Sequence, residues 1–484
     1  MSRQGPVFPP LDGSVTIPES IDFNWQHNAD LPVYAYETDG SGKITEITFL
    51  EFGRACHRVA HLVRPGRTGP DREVVAFIAL ADTMVYQAVT IGLMVAGLVF
   101  ENRTDRVFEK PFPISPRNTP AAIIHLLTKT SCHRLITTST TLSSLLDGVK
   151  AELVADFDLS IEEIPMLHQI YPKLGTETVH DPFERYPPPA TRPPMSDIAL
   201  YLHSSGSTGF PKAIHQTHLI LAHWAAFREY HDLTYDLPLI FKGVAALIQF
   251  RDHMPRARIA AMTLPPFHTL GIHIQILYSM FGLVSMGVYP PQVTSREKTP
   301  MIPTPENILE HIQRSKSNSM ITIPALLQVW AQSPEAVDVL RTLHFVGYSG
   351  GAIAPKLGDF MVSKGVKLNP GYGGTEFGSP TLPIPRPGDE GDWAYMEFSD
   401  RSKIRWVPQG DGTFECQFLT ADTHSLPVEN LPDARGYATS DLFEPHPTKP
   451  YLWKIVGRID DVVIHSSGEK TVPAPMEDIV MSSP

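Results

Sequence analysis

Four apolar runs in this chain each empty into a short turn rich in glycine, proline or hydroxyl residues. Ile198-Ala199-Leu200-Tyr201-Leu202 leads into Ser204-Ser205-Gly206-Ser207-Thr208-Gly209-Phe210-Pro211-Lys212. Ala260-Ala261-Met262-Thr263-Leu264 ends at Pro265-Pro266-Phe267-His268. Leu343-His344-Phe345-Val346-Gly347-Tyr348 ends in Ser349-Gly350-Gly351-Ala352, and Val366-Lys367-Leu368-Asn369 precedes Gly371-Tyr372-Gly373-Gly374-Thr375-Glu376. Strand-length apolar runs that end this way belong to α/β architecture, where ligands gather at the carboxyl ends of the strands. The pattern therefore predicts layered α/β sheets whose four turns converge on one crevice.

The first third of the chain shows the same alternation. Phe49, Phe52, Cys56, Val59 and Ala60 recur at helical spacing and predict a helix over 47–61. Val74-Val75-Ala76-Phe77-Ile78-Ala79-Leu80 reads as a buried strand followed by a buried helix over 84–99. Asp82, Gln87 and Thr90 interrupt that apolar stretch, which argues against a membrane span. Pro111 to Asn118 reads as an extended crossover. Thr119 is placed to cap the next helix, with Pro120 at its first position, and Arg134-Leu135-Ile136-Thr137-Thr138 is the next parallel strand. Residues 1–45 read as an irregular lead-in, 214–227 as a helix, and 393–416 as antiparallel hairpins. A chain of 484 residues exceeds one simple core, so two or three subdomains are expected.

Charge and cysteine usage narrow the partners. The net charge is −12 with no basic block, which disfavours nucleic acid and anionic membrane. Cys56, Cys132 and Cys416 are far apart and form no C-x-x-C, so neither a disulfide framework nor a zinc site is expected, and a reducing cytoplasm fits. The N-terminus has no apolar core of a secretory signal. His215, His218 and His223 do not share one helix face and do not read as a metal site.

Ser204–Lys212 combines hydroxyls, two glycines and one lysine after a strand, which is the make-up of a phosphate cradle. It is not a Walker A loop: Gly206 and Gly209 are too close, and Ala213 follows the lysine. Thr375 beside Glu376 pairs a phosphate-binding hydroxyl with a hard anionic ligand for Mg²⁺. Tyr437-Ala438-Thr439-Ser440-Asp441 offers an aspartate, expected at a strand end, for ribose hydroxyls. Gly457-Arg458-Ile459-Asp460-Asp461 taken alone reads as an exposed charged turn.

In this order the segments resemble the AMP-forming adenylate synthetases: acyl-CoA ligases, luciferases and the adenylation domains of nonribosomal peptide synthetases. The phosphate loop of that family matches 204–212, its Gly-Gly-Ala segment matches Gly350-Gly351-Ala352, and its Y-G-x-T-E motif matches Tyr372–Glu376. Its T-x-D motif aligns with Thr439-Ser440-Asp441 and its hinge with Gly457-Arg458-Ile459-Asp460. A narrower resemblance, to the adenylation domains of fungal NRPS-like carboxylate reductases, rests on Leu264–Gly271, Phe112–Asn118 and Ser466–Pro473. Two segments, 100–110, which looks inserted before Pro111, and 237–258, fit that fungal pattern poorly, through either a gene-model error or a genuine insertion.

The resemblance implies ATP-dependent activation of a small carboxylic acid, with Mg²⁺, on a multi-subdomain α/β core with a small β subdomain. Thr208, Lys212, Thr375 and Glu376 would be catalytic, with Glu376 the Mg²⁺ ligand. Ser204, Ser205, Gly206, Ser207, Gly209, Gly350, Gly351, Ala352, Tyr372, Gly373, Asp441 and Arg458 would hold the nucleotide. His268, Gly347 and Gly371 would face the acid, and Asp460 would be the pivot of a lid. The apolar positions Leu270, Ile272, Ile274, Ile276 and Leu277 point to an aryl or aliphatic acid. Phosphopantetheine on a downstream carrier domain, or CoA, would be the acyl acceptor.

Only 24 residues follow Asp460, and Lys470 lies too close to the hinge to be the lid lysine of the family. The expected division is an adenylation core over 1–457 and a hinge with the start of a lid over 458–484. The chain alone is then expected to bind ATP weakly and adenylate poorly. Three readings stay open at this point: the adenylation part of a reductase, a shortened acyl- or aryl-CoA ligase, and a non-catalytic nucleotide-binding remnant.

Overall fold

The computed structural model describes residues 5–68, 74–97, 110–204, 210–227, 257–386, 388–460, 463–464 and 470–471. The chain forms two compact units, one from residues 1–225 and 264–303, the other from 226–263 and 304–484. The two segments that fit the fungal pattern poorly, 100–110 and 237–258, lie almost wholly outside the described residues.

In the first unit, Lys110–Pro113, Val74–Ile78, Arg134–Thr137 and Ser160–Glu163 form a parallel sheet in that spatial order. Val74–Ile78 is buried at every position, as an interior parallel strand must be. Phe112, Ile123, Leu126, Leu135 and Leu146 pack into its core. The helix Pro120–Lys129 starts as expected: Thr119 Oγ1 accepts from the Ala122 N–H, with proline in the first turn. The expected helices near 47–61 and 84–99 are Phe49–Val63, capped by Thr48, and Thr83–Ala96. They cross closely at Gly92, where a Cβ would stand 2.5 Å from Val59 and 2.9 Å from the Cys56 carbonyl oxygen. Among the described residues no helix is long and apolar enough to cross a membrane.

Two expectations for this unit are corrected. The lead-in is not irregular: Ile17–His27 is a helix with a Thr16–Glu19 capping box, and Pro32–Glu37 is a strand. That strand pairs parallel with Ser285–Gly287 and antiparallel with Ile44–Thr48. Polar Ser20 and Asn24 sit on the buried stripe of the helix, with Asn24 Nδ2 donating to the Met280 carbonyl, so its apolar period is weak. Nor does a helix start at residue 214. Lys212–Thr217 is a strand antiparallel to Ile198–Ser204, and the helix begins only at His218. Buried Ile214 and Gln216 flank exposed His215, a two-residue period over 214–216 that the polar Gln216 conceals.

One buried carboxyl gives this unit a pH dependence. Glu51 is 1% exposed and accepts from the Gly175 N–H with both oxygens. Burial raises its pKa from 4.5 to about 7, with Glu177 nearby adding to the rise. A folded-state pKa above the unfolded one means that stability is full below pH 4.5 and falls as pH rises to about 7. The loss is at most about 3 kcal/mol. Glu51→Gln removes the ionisation and keeps an acceptor for Gly175. Thermal melts at pH 5 and pH 8 should therefore differ less for the variant than for the wild type; an unchanged difference would refute this assignment.

In the second unit, Arg258–Ala260, Ser319–Thr322, Val346–Tyr348 and Leu368–Pro370 form a parallel array in that order. The first of these lies two residues earlier than the run at 260–264 predicts. The helices Pro305–Arg314, Pro324–Trp330, Pro334–Leu340 and Pro355–Ser363 follow or separate these strands, each with proline in its first turn. The expected hairpins are part of a five-stranded antiparallel sheet. Its order is Met396–Glu397, Leu452–Arg458, Gly436–Pro445, Phe414–Leu419, Lys403–Pro408. An aromatic core of Tyr372, Phe377, Phe418 and Phe443 packs on it. This is the small β portion that the resemblance implies.

Candidate active site

The candidate phosphate loop is held at its two ends by an antiparallel ladder. Ser204 pairs with Lys212, and His203 with Ala213. Lys212 is exposed, and Phe210 stacks on His125 with ring centroids 5.1 Å apart. Ser205, Gly206, Ser207, Thr208 and Gly209 lie outside the described residues. Because a strand and not a helix follows, the loop has no helix N-terminus behind it. An anion here would be met by loop N–H groups, hydroxyls and Lys212.

His268 lies in the same unit. Its Nδ1 accepts from the Leu270 N–H at 3.3 Å, capping the short helix Thr269–Ile272, which runs on as a π-helical turn over His273–Tyr278. Such turns are rare and recur at functional sites. Two buried amides fix the approach to His268: Gln275 Nε2 donates to the Leu264 carbonyl at 2.9 Å and Gln87 Nε2 to that of Pro266 at 3.2 Å. Gln87 also donates to Gln275 Oε1 at 2.7 Å. Gly271 is obligatory in this packing, since a Cβ would stand 2.1 Å from the Pro265 carbonyl oxygen.

The second unit carries the other motif residues. Gly347 lies mid-strand, and the Tyr348 carbonyl accepts from the Gly371 N–H at 2.7 Å, tying the third turn to the fourth. Gly350, Gly351 and Ala352 are exposed. Gly350 has φ +88° and no atom within 4 Å of its Cβ position, so the backbone forms an open ledge that a planar base can approach. The turn Gly371–Glu376 is closed by paired bonds of 2.8 Å between Gly374 and Gly378 and by Thr381 Oγ1 accepting from the Tyr372 N–H. Within it Thr375 is buried and Glu376 half-buried.

Asp441 is the centre of a hydrogen-bonded chain. Tyr372 Oη donates to its Oδ2 at 2.5 Å and Arg458 Nη1 to its Oδ1 at 2.9 Å. Arg458 continues through Nε and Nη2 to both oxygens of Asp460, at 2.9 and 3.2 Å. Burial raises the pKa of Asp441, opposed by the donors Tyr372 and Arg458. The same burial raises that of Tyr372. Asp441 is not at a strand end. It lies mid-strand in Gly436–Pro445, directly opposite Arg458. Ser440 beside it has φ +62°, and the Thr439 hydroxyl accepts from the Asp441 N–H while donating to the Cys416 carbonyl. The threonine of T-x-D thus fixes the backbone kink that turns the aspartate inward.

The structure therefore joins Tyr372, Asp441, Arg458 and Asp460 directly, ties Gly371 to the Gly347 strand, and holds Ser204 against Lys212. It adds His203, Thr381 and the Gln87–Gln275 pair, which no motif marked. The one sequence cue for His203 is a polar residue inside an otherwise apolar strand.

Residues 22–396 match the model of the AMP-binding enzyme family. The chain belongs to this family. Enzymes of this family use ATP with Mg²⁺. The adenylate-forming reductase Nps11 of Serpula lacrymans is 47% identical over 99% of this chain and 41% of its own length. A carboxylic acid reductase of Neurospora crassa is 27% identical over 90% of this chain and 38% of its own length. This chain thus spans about two fifths of the length of these relatives. Among solved structures, ATP-bound MatB of Rhodopseudomonas palustris superposes with a TM-score of 0.68 at 16% identity, over 97% of this chain and 84% of that one. The adenylation domain of a Mycobacterium chelonae carboxylate reductase gives 0.63 at 14%, over 97% and 77%. Both share the fold.

Proposed function

We propose that this chain activates a small carboxylic acid with ATP, as the adenylation part of an NRPS-like carboxylate reductase. The supporting observation is the single hydrogen-bonded chain Tyr372–Asp441–Arg458–Asp460, which links three motifs far apart in sequence and begins in the Gly371–Glu376 turn. A carboxylate oxygen of the acid attacks the α-phosphorus, the bond to the bridging oxygen of the β-phosphate breaks, and pyrophosphate leaves. Positioning and charge neutralisation carry such a step.

In this reading Ser204, Ser205, Ser207, Thr208 and Lys212 hold the β- and γ-phosphates, Thr375 the α-phosphate, and Glu376 the Mg²⁺. Gly350, Gly351, Ala352 and Tyr372 serve the base and Asp441 the ribose. His268, Gly347 and Gly371 serve the acid. Residues 1–457 are the core, and 458–484 begin the hinge about Asp460. The acceptor is the phosphopantetheine thiol of a carrier domain, which the reductase names of the relatives favour over CoA. Three buried free thiols fit a cytoplasmic setting. A pyrophosphate-exchange screen over aryl and aliphatic acids should show exchange that requires acid, ATP and Mg²⁺ together. No exchange with any acid, and no calorimetric binding of an acyl-sulfamoyl-adenosine, would overturn the proposal.

A further inference from the structure

His203 precedes the phosphate loop and belongs to none of the motifs. Its Nε2 lies 3.1 Å from the backbone N of Ser115. A main-chain N–H can only donate, so Nε2 is the acceptor and bears no proton. Burial, and next the neighbouring His268, lower the pKa of His203 to about 4. The ring is therefore neutral near pH 7, and its one proton sits on Nδ1. Ser115 is a firm support for this tautomer. It is buried in the turn after Lys110–Pro113, its carbonyl accepts from the Asn118 N–H and its hydroxyl from the Arg117 N–H, each at 3.2 Å. Among the described residues no acceptor for Nδ1–H is found.

We propose that His203 binds the acid substrate, its Nδ1–H donating to the carboxylate that attacks ATP. The assignment rests on the adenylation reading. Two features of position support it. His203 adjoins Ser204, where the candidate phosphate loop begins, and it lies close enough to His268, the residue assigned here to the acid side, to feel its charge. The attacking carboxylate has to lie where those two sides meet. The chemistry of the group supports it as well. A neutral N–H orients an anionic oxygen while withdrawing less of its charge than a cation would, which leaves the carboxylate nucleophilic. A ring whose tautomer is set by a backbone N–H presents that donor in one orientation without reorganising.

The test is pyrophosphate exchange by the 484-residue chain with the best acid of the screen, comparing wild type, His203→Leu and His203→Asn. Leucine removes the donor; asparagine keeps an amide N–H close to the position of Nδ1. His203→Leu should raise KM for the acid at least ~10-fold, as expected for one lost hydrogen bond to a charged group, with KM for ATP unchanged. His203→Asn should recover most of the acid KM. A rise in KM for ATP instead would place Nδ1 on a phosphate and overturn the proposal. Unchanged constants in His203→Leu, or an equal loss in both variants, would overturn it too. A wild type that neither exchanges with any acid nor binds an acyl-sulfamoyl-adenosine sinks the adenylation reading itself, and the His203 assignment with it, whereas exchange that is indifferent to His203 sinks the assignment alone.

Discussion

Replacing Glu376 with glutamine is expected to slow acid-dependent pyrophosphate exchange by ~10²–10³-fold, the usual loss when one preorganised electrostatic group is removed. The variant keeps the size and shape of the side chain but exchanges an anionic oxygen for a neutral amide oxygen, a much poorer Mg²⁺ ligand. The turn itself should survive. It is closed by the backbone bonds between Gly374 and Gly378 and by Thr381 holding the Tyr372 N–H, none of which uses the Glu376 side chain. Global stability should therefore stay within ~0.5 kcal/mol of wild type, as for a substitution outside the packed core. Titrating Mg²⁺ in the exchange assay separates a metal role from a general one. The deficit should shrink as Mg²⁺ is raised, and an exchange rate equal to wild type at low Mg²⁺ would remove Glu376 from the metal site.

Much of this architecture is legible in the sequence because the signals are local. Thr119 and Pro120 announce their helix, and the stripe Phe49, Phe52, Cys56, Val59 announces another. The parallel strands appear as unbroken apolar runs because both faces are buried, as at Val74–Ile78. Reading fails where a buried face is polar. Asn24 and Ser20 blur the helix Ile17–His27, and Gln216 blurs the strand Lys212–Thr217. The second failure alters the chemistry expected of the candidate phosphate loop, since an antiparallel ladder and not a helix N-terminus adjoins its ends.

The site was legible as motifs but not as contacts. Tyr372 and Asp441 are 69 residues apart, and nothing in either motif states that the hydroxyl of one holds the carboxylate of the other. The placement of Asp441 in mid-strand depends on the Ser440 backbone at φ +62° and on the Thr439 hydroxyl, both tertiary outcomes of the Phe414–Leu419 pairing. His203 was hidden because a lone histidine in an apolar strand looks like any satisfied core residue until the contact of its Nε2 with the Ser115 N–H fixes the tautomer.

Replacing Asp441 with alanine is expected to weaken ATP binding by ~10²-fold, since hydrogen bonds from ribose hydroxyls to a charged acceptor contribute about 1.5–3 kcal/mol each. The same change should lower stability by ~1–3 kcal/mol, because it strands a buried hydroxyl. Tyr372 is 8% exposed and enclosed by Phe377, Phe398 and Phe443, so its hydroxyl has no easy route to water once Asp441 is gone. Arg458 is less affected: it is exposed and keeps its fork to Asp460. The two losses can be separated by Tyr372→Phe, which removes the hydroxyl and leaves Asp441 with Arg458. That variant should bind ATP far better than Asp441→Ala. The double variant Tyr372→Phe/Asp441→Ala should be more stable than Asp441→Ala alone, because removing both partners leaves no orphaned donor. Nucleotide affinity by calorimetry and stability by denaturant titration measure the two effects independently. If the double variant is no more stable than Asp441→Ala, the Tyr372 hydroxyl is satisfied elsewhere, and this tyrosine does not serve to hold the aspartate.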